Sequence, residues 1–285
     1  MQDLRSLLNV RDSLVRFLQE DIGAGDITSE GIIPKDLQAS GEIVCKSDNS
    51  IVSGLEEASI IFDICGCSSQ ALVKDGVRVR KGKVVMKVSG SARSILKAER
   101  TALNMIMRMS GIATETHRLS QLAGSVKILA TRKTAPGLRY FDKKAVVAGG
   151  GGAHRMRLDD MVLIKDNHLA LAGSPAGCIS GARALAGHSV KIECEAKSTA
   201  EAIDAISAGA DIVMLDNFTP ARAAKTIKTL SRLGLRGKCK IEISGGVNEK
   251  NIRRYAKSGP DFISLGYITH SPRASDFSLE MVAPA

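Results

Sequence analysis

The sequence predicts a mixed α/β chain: a small N-terminal domain, then parallel strands alternating with helices in an incomplete barrel. Three observations predict it. The first part carries one amphipathic helix and several short strands between glycine turns. From Val126, strand, loop and helix patterns repeat as far as residue 266. That stretch supplies six units, too few for a closed eight-unit barrel, which takes about 250 residues.

In chain order, Leu4, Leu7, Leu8, Leu14, Val15 and Leu18 recur at helical spacing and predict a helix over 3–20. Asp21 to Thr28 is a loop punctuated by Gly23 and Gly25. Strands are predicted at 41–46, 71–74, 77–80 and 84–88, with turns at Asp75-Gly76 and Lys81-Gly82-Lys83, and a helix at 55–62. Two helices follow, 92–109 and 112–123, separated by Ser110-Gly111. The alternating half then places helices at 138–148, 177–186, 199–208, 220–232 and 249–257. The tail 277–282 reads as a strand returning to the first domain.

Six apolar runs begin or lie within the strands of that half, and each ends in charged residues or glycine. Ile128-Leu129 leads to Thr131-Arg132-Lys133, Val162-Leu163-Ile164 to Lys165-Asp166-Asn167-His168, and Ile192 to Glu193 and Glu195. Ile212 to Leu215 leads to Asp216-Asn217, Ile241 and Ile243 to Ser244-Gly245-Gly246, and Phe262 to Leu265 to Gly266. In a parallel barrel these groups gather at the C-terminal rim, where such folds keep their chemistry.

Composition narrows the partners. Hydrophobic residues at 44% and charged residues at 25% are ordinary for a globular protein, but the net charge is +10. Much of it lies between Lys127 and Arg157, where Lys127, Arg132, Lys133, Arg139, Lys143, Lys144, Arg155 and Arg157 face only Asp142. Such a field draws anions, with Lys143, Lys144 and Arg157 read as a solvated face. A nucleic-acid-binding protein is the rival reading, but it would interleave stacking aromatics, and this segment has only Tyr140 and Phe141. No apolar run approaches the roughly 20 residues of a membrane span, and the charged N-terminus lacks a secretion signal's apolar core. The six cysteines are scattered and predict reduced thiols; Cys65-Gly66-Cys67 lacks the second pair of a zinc site.

Arg132 offers a planar fork for a carboxylate and Lys133 a point charge for phosphate. Gly149 to Gly152 before His154-Arg155 suggests backbone that approaches a ligand closely. Lys165 sits at a strand tip, with His168 behind it as a hydrogen-bonding partner. Glu193 and Glu195 share one side of a strand, and Glu195 with Asp216 suits Mg²⁺. Ser244-Gly245-Gly246 is expected to open a helix near Asn248, and with Gly266 it forms a phosphate turn.

Together these motifs resemble the quinolinate phosphoribosyltransferase family. The likeness runs through Glu20 to Thr28, Glu99 to Asn104, Ser110 to Thr114, Thr131 to Thr134, His154-Arg155, Ile164 to His168, Met214 to Phe218, Ser244 to Gly246 and Thr269 to Ser271. It implies an N-terminal α/β sandwich over 1–110, joined by the tail 272–285, and an open six-stranded barrel of the TIM type over 111–271. It implies a cytoplasmic enzyme of NAD biosynthesis, needing Mg²⁺, that joins quinolinate to phosphoribosyl pyrophosphate. Nicotinate mononucleotide, pyrophosphate and CO₂ are the expected products; a phosphoribosyltransferase for another pyridine acid, such as nicotinate, is the alternative. Arg132, His154, Arg155 and Lys165 are expected at the quinolinate carboxylates, with Arg100 supplied by the partner of a homodimer. Lys133 is expected on the pyrophosphate side, Glu195 and Asp216 at ribose and Mg²⁺, and Ser244, Gly245, Gly246 and Gly266 at the 5′-phosphate, with Thr131 and Tyr267 among the other substrate-binding residues. Lys133, Lys165, Glu195 and Asp216 form the catalytic set. Two positions depart from the family's usual pattern: Ala130 stands where Asp is common, and Ala153 where Asn is common.

Overall fold

The computed structural model describes residues 4–282, with side chains from residue 10 onward. Residues 3 and 283–285 of the expected terminal elements, and the side chains of Leu4, Leu7 and Leu8, lie outside the described residues.

The chain runs α1 (Leu4–Ile22), α2 (Ile27–Ile32), β1 (Gln38–Cys45), β2 (Ser50–Ile51), α3 (Leu55–Ile64), β3 (Ser68–Ala71), β4 (Arg78–Val79), β5 (Val84–Ser91) and α4 (Ala92–Ala123). It continues with β6 (Lys127–Leu129), α5 (Arg139–Ala148), β7 (Val162–Ile164), α6 (Asp166–Ala172), α7 (Pro175–Ala186), β8 (Ile192–Ala196) and α8 (Thr199–Ser207). Then come β9 (Ile212–Asp216), α9 (Pro220–Arg232), β10 (Lys240–Ser244), α10 (Ile252–Lys257), β11 (Phe262–Ser264), α11 (Tyr267–His270) and β12 (Phe277–Val282). Two compact units divide it. One takes residues up to Glu115, Pro136–Gly149 and those from Ser271 on; the other takes Thr116–Ala135 and Gly150–His270.

The first unit is built on an antiparallel sheet of order β12-β1-β5-β3. Ile43, Ile61, Phe62, Met86 and Ile106 fill its core with no exposed surface, each contributing about 1.5–3 kcal/mol by burial. Asp75 accepts the N–H groups of Gly54 and Leu55 and so caps the start of α3.

Helix α4 is continuous where two helices were expected. Ser110 and Gly111 are packing residues, not a break. Ser110 Oγ donates to Ser53 O and accepts the Ser53 N–H, while a Cβ on Gly111 would sit 1.9 Å from Arg273 O. Helix α5 also departs from expectation, because two of its lysines are not a solvated face. Lys143 is buried, and Lys144 pairs with Glu56 and Glu57 at 2.5 and 2.7 Å. Asp142 takes both Nε and Nη2 of Arg108. Only Arg157 of that trio is exposed.

The second unit holds six strands, parallel throughout, in the order β6-β11-β10-β9-β8-β7. Consecutive strands are neighbours from β7 to β11, and β11 returns to β6. The one pair missing from a closed ring is β6 with β7, so the barrel is open there. Register aligns Leu129, Ser264, Ser244 and Asp216 across β6, β11, β10 and β9, which brings four strand ends to one level. Between strands, α7, α8 and α9 start at Ser174, Ser198 and Thr219, whose hydroxyls accept a first-turn N–H.

Within the four-glycine run, Gly152 serves the barrel. Gly152 exchanges backbone hydrogen bonds with Ile128 and Ala130 beside β6, and a Cβ there would meet Leu129 Cδ2 at 2.6 Å. Gly150 takes a φ of +92°, which only glycine adopts easily.

Candidate active site

At the C-terminal ends of these strands lies a cavity of about 530 Å³. Its lining contains Thr131, Arg132, Lys133, His154, Arg155, Lys165, Glu195, Asp216, Ser244 and Gly245, from the ends of β6, β7, β8, β9 and β10 and from the segment between α5 and β7. Ala130, Leu163, Asp166, Met214, Asn217, Glu242 and Ser264 complete it. Gly266 borders it: a Cβ there would come 3.0 Å from Lys133 Cδ. Gly246 and Tyr267 follow Gly245 and Gly266 outside that lining. Arg100 is exposed on α4 in the first unit.

The charges divide into paired and unpaired groups. Lys165 Nζ binds Glu195 Oε1 at 2.9 Å, and the Asp166 N–H reaches the other oxygen at 3.2 Å. Arg155 is 8% exposed and donates through Nη1 to Met161 O. Burial and the neighbouring Arg132 hold its pKa below the usual arginine range. Arg132 has a buried Nε with no hydrogen-bond partner. A buried donor left this way costs about 1–3 kcal/mol, which an anion in the cavity would offset.

The carboxylates sit on the same floor. Burial, with the adjacent Glu195 charge, raises the Asp216 pKa. Burial pushes Glu193 up to about 7 and, with Glu193 nearby, Glu242 up to about 8. Glu193 accepts from His154 Nε2 at 3.0 Å, and Ser264 Oγ donates to Glu242. His154 Nδ1 accepts the Arg155 N–H at 2.7 Å. Both ring nitrogens expected at a substrate carboxylate are therefore engaged inside the protein.

Two turns shape the wall formed by Asn217 and Gly245. Asn217 adopts φ +56°, its N–H donates to Ser244 O, and its Nδ2 donates to Asp216. Gly245 (φ +89°) is obligatory, since a Cβ would lie 2.2 Å from Asn217 Oδ1. Helix α10 begins at Ile252, not near Asn248, so the N–H groups of Gly245 and Gly246 belong to a loop. Asn251 Oδ1 takes the Asn248 N–H instead. His168 is the hydrogen-bonding partner expected behind Lys165: its Nδ1 accepts the Lys165 N–H and closes the first turn of α6. Sequence reasoning passed over Glu242, Ser264 and Asn217. For Asn217 the signal was an Asn directly after a strand, the residue type that tolerates left-handed backbone.

Residues 26–110 match the family description "Quinolinate phosphoribosyl transferase, N-terminal domain", and residues 112–280 match its C-terminal domain. The chain belongs to the quinolinate phosphoribosyltransferase family. Among relatives, it is 43% identical over 262 residues to an Archaeoglobus fulgidus protein named "Probable nicotinate-nucleotide pyrophosphorylase [carboxylating]", covering 90% of this chain and 98% of that one. It is 36% identical over 281 residues to "Nicotinate-nucleotide pyrophosphorylase [carboxylating]" of Mycobacterium leprae, covering 95% and 96%. The solved nicotinate-nucleotide pyrophosphorylase of Francisella tularensis superposes with a TM-score of 0.89 at 36% identity, over 96% of each chain. The fold expected from the sequence, a small α/β domain beside a six-stranded parallel one, is that of this family's structures, and the small domain's sheet is antiparallel.

Proposed function

We infer that the chain is a pentosyltransferase of NAD biosynthesis that converts quinolinate and phosphoribosyl pyrophosphate to nicotinate mononucleotide, pyrophosphate and CO₂. The observation that carries the reading is the unpartnered Nε of Arg132 beside Arg155 and Lys165. Three cations close together, one of them with an open donor, match a dicarboxylate better than a monoacid such as nicotinate.

The pyridine nitrogen attacks the anomeric carbon as pyrophosphate leaves, and the C2 carboxylate is then lost. No protein nucleophile is needed, so positioning and charge do the catalysis. Arg132, Arg155 and Lys165 hold the two carboxylates, and Arg100 of the second copy in a homodimer completes that end. Thr131 and Lys133 face the pyrophosphate. Ser244, Gly245, Gly246, Gly266 and Tyr267 receive the 5′-phosphate through loop N–H groups and hydroxyls. Each charged hydrogen bond is worth about 1.5–3 kcal/mol.

Glu195 and Asp216 fit Mg²⁺. They offer hard oxygen donors, and burial together with the neighbouring Glu195 charge raises the Asp216 pKa, a penalty that a dication would relieve. When bound, the ion neutralises charge on the leaving pyrophosphate, while Glu195 and Asp216 also orient the ribose hydroxyls. The six free cysteines suit a reducing cytoplasm, and no described helix is long and apolar enough to cross a membrane.

The test offers quinolinate and nicotinate separately with phosphoribosyl pyrophosphate, with and without Mg²⁺. The expected result is nicotinate mononucleotide and CO₂ from quinolinate alone, dependent on Mg²⁺. Turnover of nicotinate in preference to quinolinate would overturn the assignment.

A further inference from the structure

Beneath the cations lies a buried group to which the reaction above gives no work: Glu193 on β8, Glu242 on β10 and Ser264 on β11, gathered around His154. We propose that Glu193 and Glu242 are positioning residues, clamping the His154 ring so that the strained backbone behind it delivers Arg155 to the substrate carboxylates beside Arg132. This rests on the carboxylate role assigned to the two arginines.

The geometry starts from the backbone. His154 has φ +53°, a left-handed conformation that non-glycine residues rarely keep unless their surroundings enforce it. Its ring is fastened at both ends. Because Nδ1 accepts the Arg155 N–H at 2.7 Å, the proton of the neutral ring sits on Nε2, which donates to Glu193 Oε2 at 3.0 Å. Swinging the ring away would break both bonds and release the peptide that carries Arg155.

The carboxyls below are themselves fixed. Both are fully buried, and Ser264 Oγ donates to Glu242 Oε1. Glu193 Oε1 and Glu242 Oε2 meet no N–H or hydroxyl donor. The two carboxyls meet side chain to side chain, and both lie beside His154 Nε2, at 3.0 Å from Glu193 and 3.7 Å from Glu242. Three donor atoms of His154, Glu193 and Glu242 lie within 4.8 Å of one another, close enough to suggest a cation. The tautomer argues against it: with Nδ1 engaged by Arg155, Nε2 bears hydrogen and has no lone pair to offer.

The hydrogen pattern makes the test specific. A glutamine at 193 can accept from His154 and donate its amide to Glu242; a glutamine at 242 can accept from Ser264 and donate to Glu193. Glutamine at both sets two NH₂ groups against each other. The experiment compares Glu193→Leu, Glu193→Gln, Glu242→Gln and the double glutamine variant. It measures nitrogen NMR of the His154 ring, KM for each substrate, and bound metal in the purified protein. Glu193→Leu and the double variant are expected to raise the quinolinate KM roughly 10- to 100-fold, with the phosphoribosyl pyrophosphate KM within about twofold, and to shift the Nε2–H resonance. Each single glutamine is expected to restore most of the quinolinate affinity. The NMR decides the clamp separately from turnover. A wild type inert toward quinolinate sinks the proposed reaction, whereas a wild-type His154 ring protonated on Nδ1 sinks the clamp. Single and double glutamine variants that behave alike, or stoichiometric metal lost on Glu242→Gln, would also overturn it.

Discussion

Arg132 connects stability to substrate most directly, because its Nε is buried without a partner. Replace it by methionine, which keeps a similar stem and removes the donor and the charge. In the ligand-free protein the change relieves an unsatisfied donor worth about 1–3 kcal/mol and the repulsion with Arg155. Some packing is lost in return, so the net gain should be about 1 kcal/mol, or roughly 2–4 °C in Tm for a chain of this size. Bound quinolinate loses two charge-assisted hydrogen bonds, at least about 3 kcal/mol, which is on the order of a hundredfold in Kd. Thermal melts with and without quinolinate and calorimetric titration read both effects. The variant should melt higher alone and gain almost nothing from quinolinate. A variant that melts several degrees lower while still binding quinolinate normally would refute the claim that Arg132 is held in deficit for an anion.

Other expectations are separately measurable. Mixing inactive Arg100→Ala and Lys165→Ala chains should restore part of the activity, since one hybrid site of a dimer regains both residues; proven subunit exchange with no recovery would exclude a shared site. Gly245→Ala combines φ +89° with a contact of 2.2 Å to Asn217 and should raise the phosphoribosyl pyrophosphate KM at least about tenfold, read by steady-state kinetics. Glu242 has a folded pKa raised from 4.5 to about 8, so between those values the native state binds more protons than the unfolded chain. Its contribution is full below about pH 4.5 and is lost as pH rises through 8; chemical denaturation across that range should show a stability slope that Glu242→Gln flattens.

The strand and helix alternation was legible because most runs of the second half, such as Val162–Ile164 and Ile212–Leu215, are short, apolar and ended by charge or glycine. The same rule exposed the rim, since a charged residue at a strand tip has few alternatives to water or ligand. Features set by distant contacts were not legible. Ser110-Gly111 looks like a helix break until Ser53 and the Arg273 carbonyl are placed against it. Nothing in the run Gly149 to Gly152 tells that Gly152 pairs with β6. Helix α6 was hidden by Lys165-Asp166-Asn167-His168, whose polar side chains read as loop although Lys165 and His168 form its cap.

Glu242 was the most consequential omission, and the reason is physical. An acidic residue between two isoleucines on a buried strand violates the hydrophobic pattern, yet the pattern cannot say what satisfies it; Ser264, on the next strand, does. The rim carboxylates follow a common rule. Glu195 is committed to Lys165, Glu193 to His154, Glu242 to Ser264 and Asp216 to Asn217. Each negative group thus orients a neighbour, and no described carboxylate hydrogen-bonds the Nε of Arg132. A site that used its acids to neutralise its bases would bind its own side chains in place of a dianion. Glu195 does this to Lys165, whereas the Arg132 Nε is left without any such acid and stays open to an anion in the cavity.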